Sequence, residues 1–374
     1  MKRFIICSGF LVAIAFVLTS CSRSTSTSKS VELPVSSADE ANSLSELRLD
    51  DQVAAILRGG APSDVESLVS EADDLKGGEQ YADAAAHYLA ALRVQPKHLW
   101  ARYQLAGDLA LWGHRRLALS TLRQAITDGF WGYEMMRGDT DFESIKDDPE
   151  FASMLASIMG RYATEAKKHE GRSFIRAPQG TPPARGWPIV IFLHGMGDRA
   201  DAYVPNAESA SEQGYAGIAV SAPVVQWENQ YAWPSEKVET THAYLQKVLD
   251  GYRERKDLDR SRVFLVGFSQ GAVHAAGLLA QHSRDYSGAI ILSPGGPPGI
   301  PQTLEKTASA RPLCAIHGEK EHPICLQSAE SCVGLWKKAK WPVLQETHPG
   351  GHQIPEDFED RFPRLMKWLE QNSK

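Results

Sequence analysis

The sequence predicts an α/β protein with a doubly wound, mostly parallel sheet, preceded by an all-α region of helical repeats. The chain has 374 residues, and domains commonly have about 100–200 residues, so two domains are expected. Residues 41–168 are rich in Ala, Leu and Glu with helical periodicity, whereas residues 172–374 alternate short apolar runs with amphipathic stretches. The first pattern predicts packed helices, and the second predicts a sheet covered by helices on both faces.

Composition and charge narrow the classes of function. Hydrophobic residues make up 43% and charged residues 23% of the chain, proportions typical of a folded globular protein. With 40 basic and 46 acidic residues the net charge is -6, so the chain has no basic field that would attract a phosphate backbone. Nucleic acid is therefore not an expected partner.

The first twenty residues have the layout of an export signal. Lys2 and Arg3 precede an apolar run over residues 4–18, which is shorter than the roughly 20 residues needed to span a membrane. The run ends in Leu-Thr-Ser-Cys, which resembles the lipobox of bacterial lipoproteins. Residues 1–20 are therefore expected to be a signal peptide, with a signal anchor that stays attached as the alternative.

That resemblance implies a lipid anchor at Cys21. In lipoproteins the cysteine at this position is acylated on its sulfur and becomes the new N-terminus, and several acyl chains together hold a protein stably at a membrane. Residues 21–40 include a run of Ser, Thr and cations, which predicts a flexible tether. Ser22 is non-acidic and favours transfer to the outer membrane. We therefore expect an exported bacterial lipoprotein, anchored on the periplasmic face or at the cell surface.

Three cysteines remain beyond the leader and the anchor, namely Cys314, Cys325 and Cys332. An odd number of thiols in an oxidising compartment leaves at least one unpaired. Cys325 and Cys332 are seven residues apart in a predicted helix, about 10 Å of rise, which is too far for a disulfide within that helix. Pairing of Cys314 with either of the others stays open.

Within residues 41–168 the sequence repeats with a period of 34 residues. The period resembles that of the tetratricopeptide repeat and is clearest over residues 65–132, with capping helices expected near 44–58 and 148–167. Such an array offers a surface for a protein partner, and a packing spacer is the alternative. The matched positions are Ala84 and Ala118, Tyr88 and Leu122, Ala91 and Ala125, and Leu92 and Ile126.

Residues 172–374 contain short apolar runs that suit strands buried on both faces of a parallel sheet. Because ligands bind at the carboxyl ends of such strands, each strand-to-helix junction is a candidate site. The predicted strands cover residues 173–177, 188–195, 217–223, 263–268, 288–294, 312–318 and 342–348. The predicted helices cover residues 236–255, 271–283, 325–340 and 356–371.

The junction GFSQG at residues 267–271 carries the clearest chemical signal. It follows an apolar run and precedes a predicted helix, the context that the G-x-S-x-G nucleophile elbow requires. Its glycines leave room for a strained turn that raises the hydroxyl of Ser269 above the sheet. Ser269 is therefore predicted to be a nucleophile.

A base and an acid are expected C-terminal to Ser269, because a serine hydroxyl is a weak nucleophile and the chain order in such enzymes is Ser, acid, His. His348 and His352 follow the last predicted strand. We favour His352, which lies behind a glycine pair in a turn that can reach back over the sheet. The candidates for the acid are Glu319, Glu321 and Asp357.

The loop HGMGD at residues 194–198 is expected to complete the site. A developing oxyanion needs two fixed N–H donors, one from the residue after the nucleophile and one from the loop after an earlier strand. The backbone amides of Gln270 and Met196 fit these two roles. His194, in the same loop, is expected to be a structural hydrogen-bonding residue rather than a base.

Taken in order, the motifs HGMGD, GFSQG, HGEKE and GGHQIP resemble those of the phospholipase/carboxylesterase group of α/β-hydrolases, near the acyl-protein thioesterases and dienelactone hydrolases. The resemblance covers residues 172–374. It implies hydrolysis of carboxylic esters or thioesters through an acyl-enzyme without a cofactor, with Ser269, His352 and Glu321 as the triad. Glu321 stands where the HGxxD turn of the group commonly has Asp.

The segment 224–234 is aromatic and departs from the lipid-handling members of that group. Its aromatic residues are expected either to floor an acyl or aromatic substrate pocket or to cap the sheet. They are Trp227, Tyr231 and Trp233.

No metal site is expected from the sequence. Four histidines and a cysteine lie near predicted strand ends, but their spacing fits no standard zinc pattern and His352 is better used as the base. The residues concerned are His317, His322, Cys325, His348 and His352.

Two functions of different classes follow. The leading one is a membrane-anchored serine hydrolase that cleaves a small-molecule or lipid ester. The alternative is a surface interaction lipoprotein that binds a partner through its helical repeats and whose hydrolase fold is weak or inactive. Glu321 in place of Asp is the feature that favours the alternative.

Overall fold

The structure, a computed structural model, describes residues 44–58, 65–169, 172–227, 230–304 and 309–373. The predicted signal peptide, the lipidated cysteine and the tether lie outside the described residues. No helix in the described part of the chain is long and apolar enough to cross a membrane.

The N-terminal part of the structure is helical, as predicted. Short 3₁₀ turns lie at Ser45–Leu47 and Thr140–Phe142. The α-helices are α1 (Asp50–Arg58), α2 (Val65–Gly77), α3 (Tyr81–Val94), α4 (Leu99–Leu111), α5 (Arg115–Asp128), α6 (Tyr133–Gly138) and α7 (Pro149–His169).

Helices α2 to α5 form two successive helix pairs with matching bounds. Helices α2 and α4 begin at Val65 and Leu99, which are 34 residues apart, and α3 and α5 begin at Tyr81 and Arg115 with the same offset. Each of these helices packs against the next one in the chain. Small side chains at the helix contacts let neighbouring axes approach closely. The fully buried alanines at matched positions are Ala84, Ala91, Ala118 and Ala125.

The C-terminal part contains a seven-stranded sheet in the order β1-β3-β2-β6-β7-β8-β9. Only the pairing of β1 with β3 is antiparallel, and the other neighbours in the sheet are parallel, so the predicted α/β class is confirmed. The strands of this sheet are β1 (Ser173–Arg176), β2 (Trp187–Leu193), β3 (Ala216–Val220), β6 (Leu258–Phe268), β7 (Gly288–Leu292), β8 (Leu313–Gly318) and β9 (Val343–His348). The two remaining strands, β4 (Val224–Trp227) and β5 (Gln230–Ala232), form a separate hairpin.

The sheet is buried on both faces, which explains its continuous apolar strands. On β2, Ile189, Ile191 and Leu193 face one hydrophobic cluster, whereas Val190 and Phe192 face another. This alternation is the period-2 geometry of a strand, with both sides covered. The helices of this part are α8 (Val204–Glu212), α9 (Val238–Gly251), α10 (Gln270–Gln281), α11 (Pro323–Lys338) and α12 (Phe358–Asn372).

The β4–β5 hairpin connects the helical region with the sheet domain. Both α6 and α7 contact β4. A Cβ at Gly132 would lie 2.5 Å from the carbonyl oxygen of Gln226, so glycine allows this close approach. The Gln226 amide also donates to the sulfur of Met135 across the same contact, at 3.4 Å. The segment expected to be an aromatic pocket wall is therefore held between two parts of the chain.

Candidate active site

Ser269 occupies a strained turn between β6 and α10. Its φ of 52° and ψ of -119° lie in a region that side-chain-bearing residues rarely adopt. The flanking glycines are required by space, because a Cβ at Gly267 would overlap the backbone of Gly271, and a Cβ at Gly271 would overlap the carbonyl of Leu193. The GFSQG sequence thus forms a sharp strand-to-helix turn that presents the serine at the carboxyl end of the central strand.

Ser269, His352 and Glu321 form one line of hydrogen bonds. The Nε2 atom of His352 lies 3.0 Å from Ser269 Oγ, and its Nδ1 atom lies 2.9 Å from Glu321 Oε1. The carboxylate of Glu321 is fully buried, whereas the imidazole of His352 is 37% exposed. The structure therefore brings together all three side chains that the sequence analysis selected, with the imidazole open to the solvent side.

The turns that carry Glu321 and His352 are joined to each other. The amide of Glu319 donates to the carbonyl of His348, and the amide of Lys320 donates to the carbonyl of Gly350. A Cβ at Gly318 would overlap the carbonyl of Gly350, so glycine is needed where the two turns cross. These contacts hold the acid and the histidine in a common frame at the ends of β8 and β9.

The other candidates for the base and the acid make different contacts. His348 is buried, and its Nδ1 accepts a hydrogen bond from the amide of Gly350 at 3.2 Å, so it shapes the turn that carries His352. Asp357 forms an ion pair with Arg361. Of the three candidate acids, Glu321 is the one that the structure places on His352.

Hydrogen bonding sets the charge of the pair. Burial alone would raise the pKa of Glu321, but the hydrogen bond with His352 and the nearby hydroxyl of Ser293 outweigh burial and lower that pKa to about 2. Burial alone would lower the pKa of His352, but its contacts with Cys325 and Glu321 raise that pKa to about 9. Glu321 is thus an ionised acceptor that stabilises positive charge on the imidazole.

The HGMGD loop lies directly against the elbow. A Cβ at Gly195 would lie 3.4 Å from the Cβ of Ser269 and 3.2 Å from the ring of Phe268, so the loop backbone passes within van der Waals distance of the serine. The amides of Met196 and Gln270 have no hydrogen-bond partner among the described residues. Neither predicted donor is therefore occupied by another group in the described part of the chain.

His194 supports this loop from below. Its Nε2 accepts a hydrogen bond from the amide of Ala222 at 2.9 Å, and its Nδ1 lies 2.7 Å from the carbonyl oxygen of Gly195. Burial lowers the pKa of His194 to about 4, so the ring is neutral at pH 7. This arrangement is that of a structural hydrogen-bonding residue, as predicted, and not that of a base.

Tyr231 and Trp233, two of the three aromatic residues predicted to line or floor a pocket, do not open onto one. Both residues are at most 1% exposed. The indole of Trp233 donates to the carbonyl of His194 at 2.8 Å, beneath the HGMGD loop. The side chain of Trp227 lies outside the part of the chain that the structure describes. Trp233 and Tyr231 therefore belong to the interior that supports the loop, which is the capping alternative.

Two groups near the elbow were missed by the sequence analysis. The side-chain amide of Gln270 accepts from the amide of Trp233 and donates to its carbonyl, both at 3.0 Å. Ser293, at the end of β7 with φ of 46°, lies beside Glu321. A search of every strand end would have found Ser293, whereas no pattern indicates that a helix-initial glutamine holds a neighbouring loop.

Two side-chain groups among the described residues have the donor atoms to hold a metal ion. One consists of Glu321, Cys325 and His352, and the other consists of His242, His282 and Asp285. In each group the donor atoms lie within 4.8 Å of one another. Neither set was predicted from the sequence.

Part of the chain is similar to a known protein family. Residues 222–360 match the phospholipase/carboxylesterase family model. That range contains Ser269, Glu321 and His352, whereas the HGMGD loop precedes it.

Solved structures of similar proteins include several hydrolases. A carboxylesterase from Bacillus cereus is 19% identical, with a TM-score of 0.45, over 54% of this chain and 94% of that one. A carboxylesterase from Mesorhizobium loti is 17% identical, with a TM-score of 0.43, over 50% and 90%. A fluorophosphonate-binding serine hydrolase of Staphylococcus aureus is 15% identical, with a TM-score of 0.40, over 53% and 91%. The parallel sheet, the elbow and the family match together identify an α/β-hydrolase fold in which residues 222–360 resemble the phospholipases and carboxylesterases.

Proposed function

We propose that the protein is a serine hydrolase that cleaves carboxylic esters or thioesters through an acyl-enzyme. The observation that carries the proposal is the line of hydrogen bonds from Ser269 through His352 to Glu321 at a strained elbow. A nucleophile, a base and an orienting acid in this order are the parts that acyl transfer requires.

The reaction follows from the positions of these atoms. The neutral form of His352, whose population grows as the pH rises toward its pKa of about 9, accepts the hydroxyl proton at Nε2 as Ser269 Oγ attacks the substrate carbonyl, and the Nδ1–H of the resulting imidazolium donates to Glu321. The carbonyl oxygen becomes an oxyanion that accepts hydrogen bonds from the amides of Met196 and Gln270. His352 then returns the proton to the leaving alcohol or thiol, and the acyl group stays on Ser269. Water, activated by the same histidine, releases the acid and restores the serine.

The proposed substrate is a small-molecule or lipid ester with an apolar acyl part. Two exposed apolar side chains lie near the site residues in sequence, Met196 in the HGMGD loop at 44% exposure and Ile324 in the first turn of α11 at 60%. They would supply apolar surface for the acyl group. Tyr231 and Trp233 are buried and do not contribute to this surface.

We further propose that the protein acts at a membrane, exported and anchored by acyl chains on Cys21. The support is the sequence Leu18 to Cys21 and the polar segment that follows it. An outer-membrane lipoprotein of this kind would meet lipid esters or exported small molecules. Incorporation of labelled palmitate into the wild-type chain and not into Cys21→Ala would support the anchor, and equal labelling of both would refute it.

The interaction function is the weaker proposal. Its supporting feature was Glu321 in place of Asp, but Glu321 reaches His352 at 2.9 Å, so the longer acid does not separate the pair. A protein partner for the helical region stays a proposal. If esters from acetate to octanoate all remain uncleaved while the helical surface captures a partner from the producing organism, this function would be preferred.

A fluorophosphonate probe tests the hydrolase directly, because it forms a stable bond only with an activated serine. The wild-type chain is expected to be labelled, and Ser269→Ala is expected to lose both labelling and about 10⁴–10⁶-fold in kcat. Ser211→Ala is the matched control, since Ser211 lies on helix α8 and bonds its own helix. Absence of labelling in the wild-type chain, or equal labelling of Ser269→Ala, would refute the proposal.

A further inference from the structure

Cys325 lies in the first turn of α11, four residues beyond Glu321, with its thiol beside the triad. A Cβ at Gly295 would lie 2.5 Å from Cys325 Sγ, so the missing side chain of this glycine makes the space that the thiol occupies. The amide of Gly295 in turn lies 3.3 Å from the carbonyl oxygen of Ser269. The thiol is therefore held in a notch next to the elbow.

The thiol is close enough to bind the same metal ion as two residues of the triad. A donor nitrogen of His352 lies within 4.8 Å of the Cys325 sulfur. One donor atom from each of Glu321, Cys325 and His352 lies within 4.8 Å of the other two. A carboxylate, a thiolate and an imidazole are the three ligand types that zinc prefers in proteins. At zinc–ligand distances of about 2.0–2.3 Å, tetrahedral ligand atoms are about 3.3–3.8 Å apart, so movements of about 1 Å would close the site.

We propose that Glu321, Cys325 and His352 form an inhibitory site for a thiophilic divalent cation such as Zn²⁺. The inference rests on the proposed hydrolase function of the same histidine. Three protein ligands leave the fourth position of a tetrahedral ion open to water. The thiol loses its proton to solvent as the metal–sulfur bond forms. The imidazole nitrogen that binds the metal leaves the hydrogen-bonded line, so His352 can no longer work as the base for Ser269. A chelator reverses the inhibition.

The other thiols of the domain provide a matched comparison. Cys332 lies on the same helix, two turns after Cys325, and is fully buried. Burial raises the pKa of the Cys332 thiol to about 12, which opposes the thiolate that a metal requires. Cys314 is fully buried in β8. Metal binding through sulfur should therefore depend on Cys325 and not on Cys332.

Cobalt(II) is the first probe, because a thiolate ligand to cobalt produces a charge-transfer absorption that oxygen and nitrogen ligands do not. The full chain, Ser269→Ala, Cys325→Ser and Cys332→Ser are titrated with Co²⁺ alone. The wild-type, Ser269→Ala and Cys332→Ser chains are expected to show the thiolate band, and Cys325→Ser is expected to lack it. Cobalt bound at His242, His282 and Asp285 would lack this band, since that group contains no sulfur.

Zinc inhibition of ester cleavage is the second probe, with each variant compared with its own zinc-free rate. The concentration of free Zn²⁺ for half inhibition is expected to rise at least about tenfold in Cys325→Ser and to stay unchanged in Cys332→Ser. A wild-type chain without a thiolate band, or a Cys325→Ser chain with wild-type zinc sensitivity, would overturn the site. If no ester is cleaved but the band forms in Ser269→Ala, the metal site stands and the proposed hydrolase function fails.

Discussion

His322, at the start of α11, is hydrogen-bonded through Nε2 to the carboxylate of Asp74 in α2, a residue 248 positions earlier in the chain. The amide of His322 donates to Glu321 Oε1 at 3.0 Å, so the same residue contacts the helical region and the acid of the triad. The helical region therefore supports the turn that orients His352. This contact gives the helices a structural role in the proposed catalysis, with or without a partner.

Removal of this support should weaken catalysis more than stability. Asp74→Ala is expected to lower kcat/KM by about 2–5-fold, because an exposed pair of this kind contributes on the order of 0.2–1 kcal/mol. The measurement is ester hydrolysis together with the unfolding midpoint. Glu71→Ala is the control, since Glu71 on the same helix pairs with His87 inside the helical region. Equal losses in the two variants would show that the Asp74 contact has no special connection to the site.

The oxyanion role assigned to Met196 depends on its backbone amide, whereas its side chain is proposed only to offer apolar surface to the acyl group. Because the side chain is exposed, Met196→Ala is expected to keep kcat within about threefold of the wild-type value. Met196→Pro removes the N–H and is expected to lower kcat by about 10²–10³-fold, the cost of one oxyanion donor. Steady-state kinetics with p-nitrophenyl butyrate would measure both, with circular dichroism to establish that each variant is folded. Similar rates for the two variants would refute the role.

Replacing an elbow glycine with alanine should destabilise the chain, whereas replacing an exposed helix glycine should stabilise it. At Gly271 a Cβ would overlap backbone atoms of Leu193 and His194, so Gly271→Ala is expected to destabilise the chain by at least about 3 kcal/mol and to abolish labelling by fluorophosphonate. At Gly334, in the exposed middle of α11, no atom lies within 4 Å of the added Cβ. Gly334→Ala is expected to stabilise the chain by about 0.5–1 kcal/mol. Chemical denaturation measures both signs, and a harmless Gly271→Ala would contradict the close packing at the elbow.

Gln270 should support activity through its side chain as well as its amide. Its side-chain amide accepts from and donates to the backbone of Trp233, and it donates to the carbonyl of Pro297 at 3.3 Å. Gln270→Ala would leave these buried groups unpaired and is expected to cost about 1–3 kcal/mol. Because the indole of Trp233 supports the HGMGD loop, kcat should also fall.

Two comparisons separate the effects at this position. Gln270→Met keeps the volume but not the hydrogen bonds, so it is expected to resemble Gln270→Ala in kcat. Gln281→Ala, at the other end of α10, lies on the exposed surface and is expected to change neither stability nor kcat. If Gln270→Met retains the wild-type kcat, volume rather than hydrogen bonding would account for the role of the residue.

Ser269 and His352 were predictable from the sequence because their signals are local. A serine between two glycines after an apolar run, and a histidine behind a glycine pair after the last strand, follow from turn chemistry and chain order. Glu321 needed the family resemblance, since three carboxylates had similar local contexts. Glu321 reaches His352 because the two turns that carry these residues cross at Gly318 and Gly350. No local sequence pattern encodes this crossing.

The residues whose roles the sequence left open or missed are those whose environment is set by distant segments. Trp233 was a pocket candidate because aromatic residues in a loop after a strand are common at ligand sites. In the structure its indole reaches a carbonyl 39 residues earlier, and this contact decides its burial. The β4–β5 hairpin was missed because strands of four and three residues are too short for alternation to be visible. The position of the Cys325 thiol depends on the space left by Gly295, which belongs to a different loop.

Asp108 is a buried acid in α4 that makes the stability of the helical region depend on pH. It is fully buried, and neither carboxylate oxygen has a hydrogen-bond partner among the described residues. Burial raises the pKa of Asp108 to about 8, with Lys76 opposing and Asp141 adding to the effect. The folded chain therefore binds this proton more tightly than the unfolded chain does. The resulting stabilisation is fully present below about pH 4 and is lost as the pH rises through about 8.

The isosteric variant Asp108→Asn cannot ionise, so it should lack this loss. At pH 9 its free energy of unfolding is expected to exceed that of the wild-type chain by on the order of 2–4 kcal/mol, whereas at pH 5 the two should agree within about 1 kcal/mol. Urea denaturation at pH 5, 7 and 9 would measure the difference. Asp147→Asn, at an exposed position between α6 and α7, is expected to change stability equally at all three values. Parallel pH profiles for Asp108→Asn and the wild-type chain would mean that Asp108 is already ionised in the folded state, which would require a solvated or paired carboxylate within the helical core.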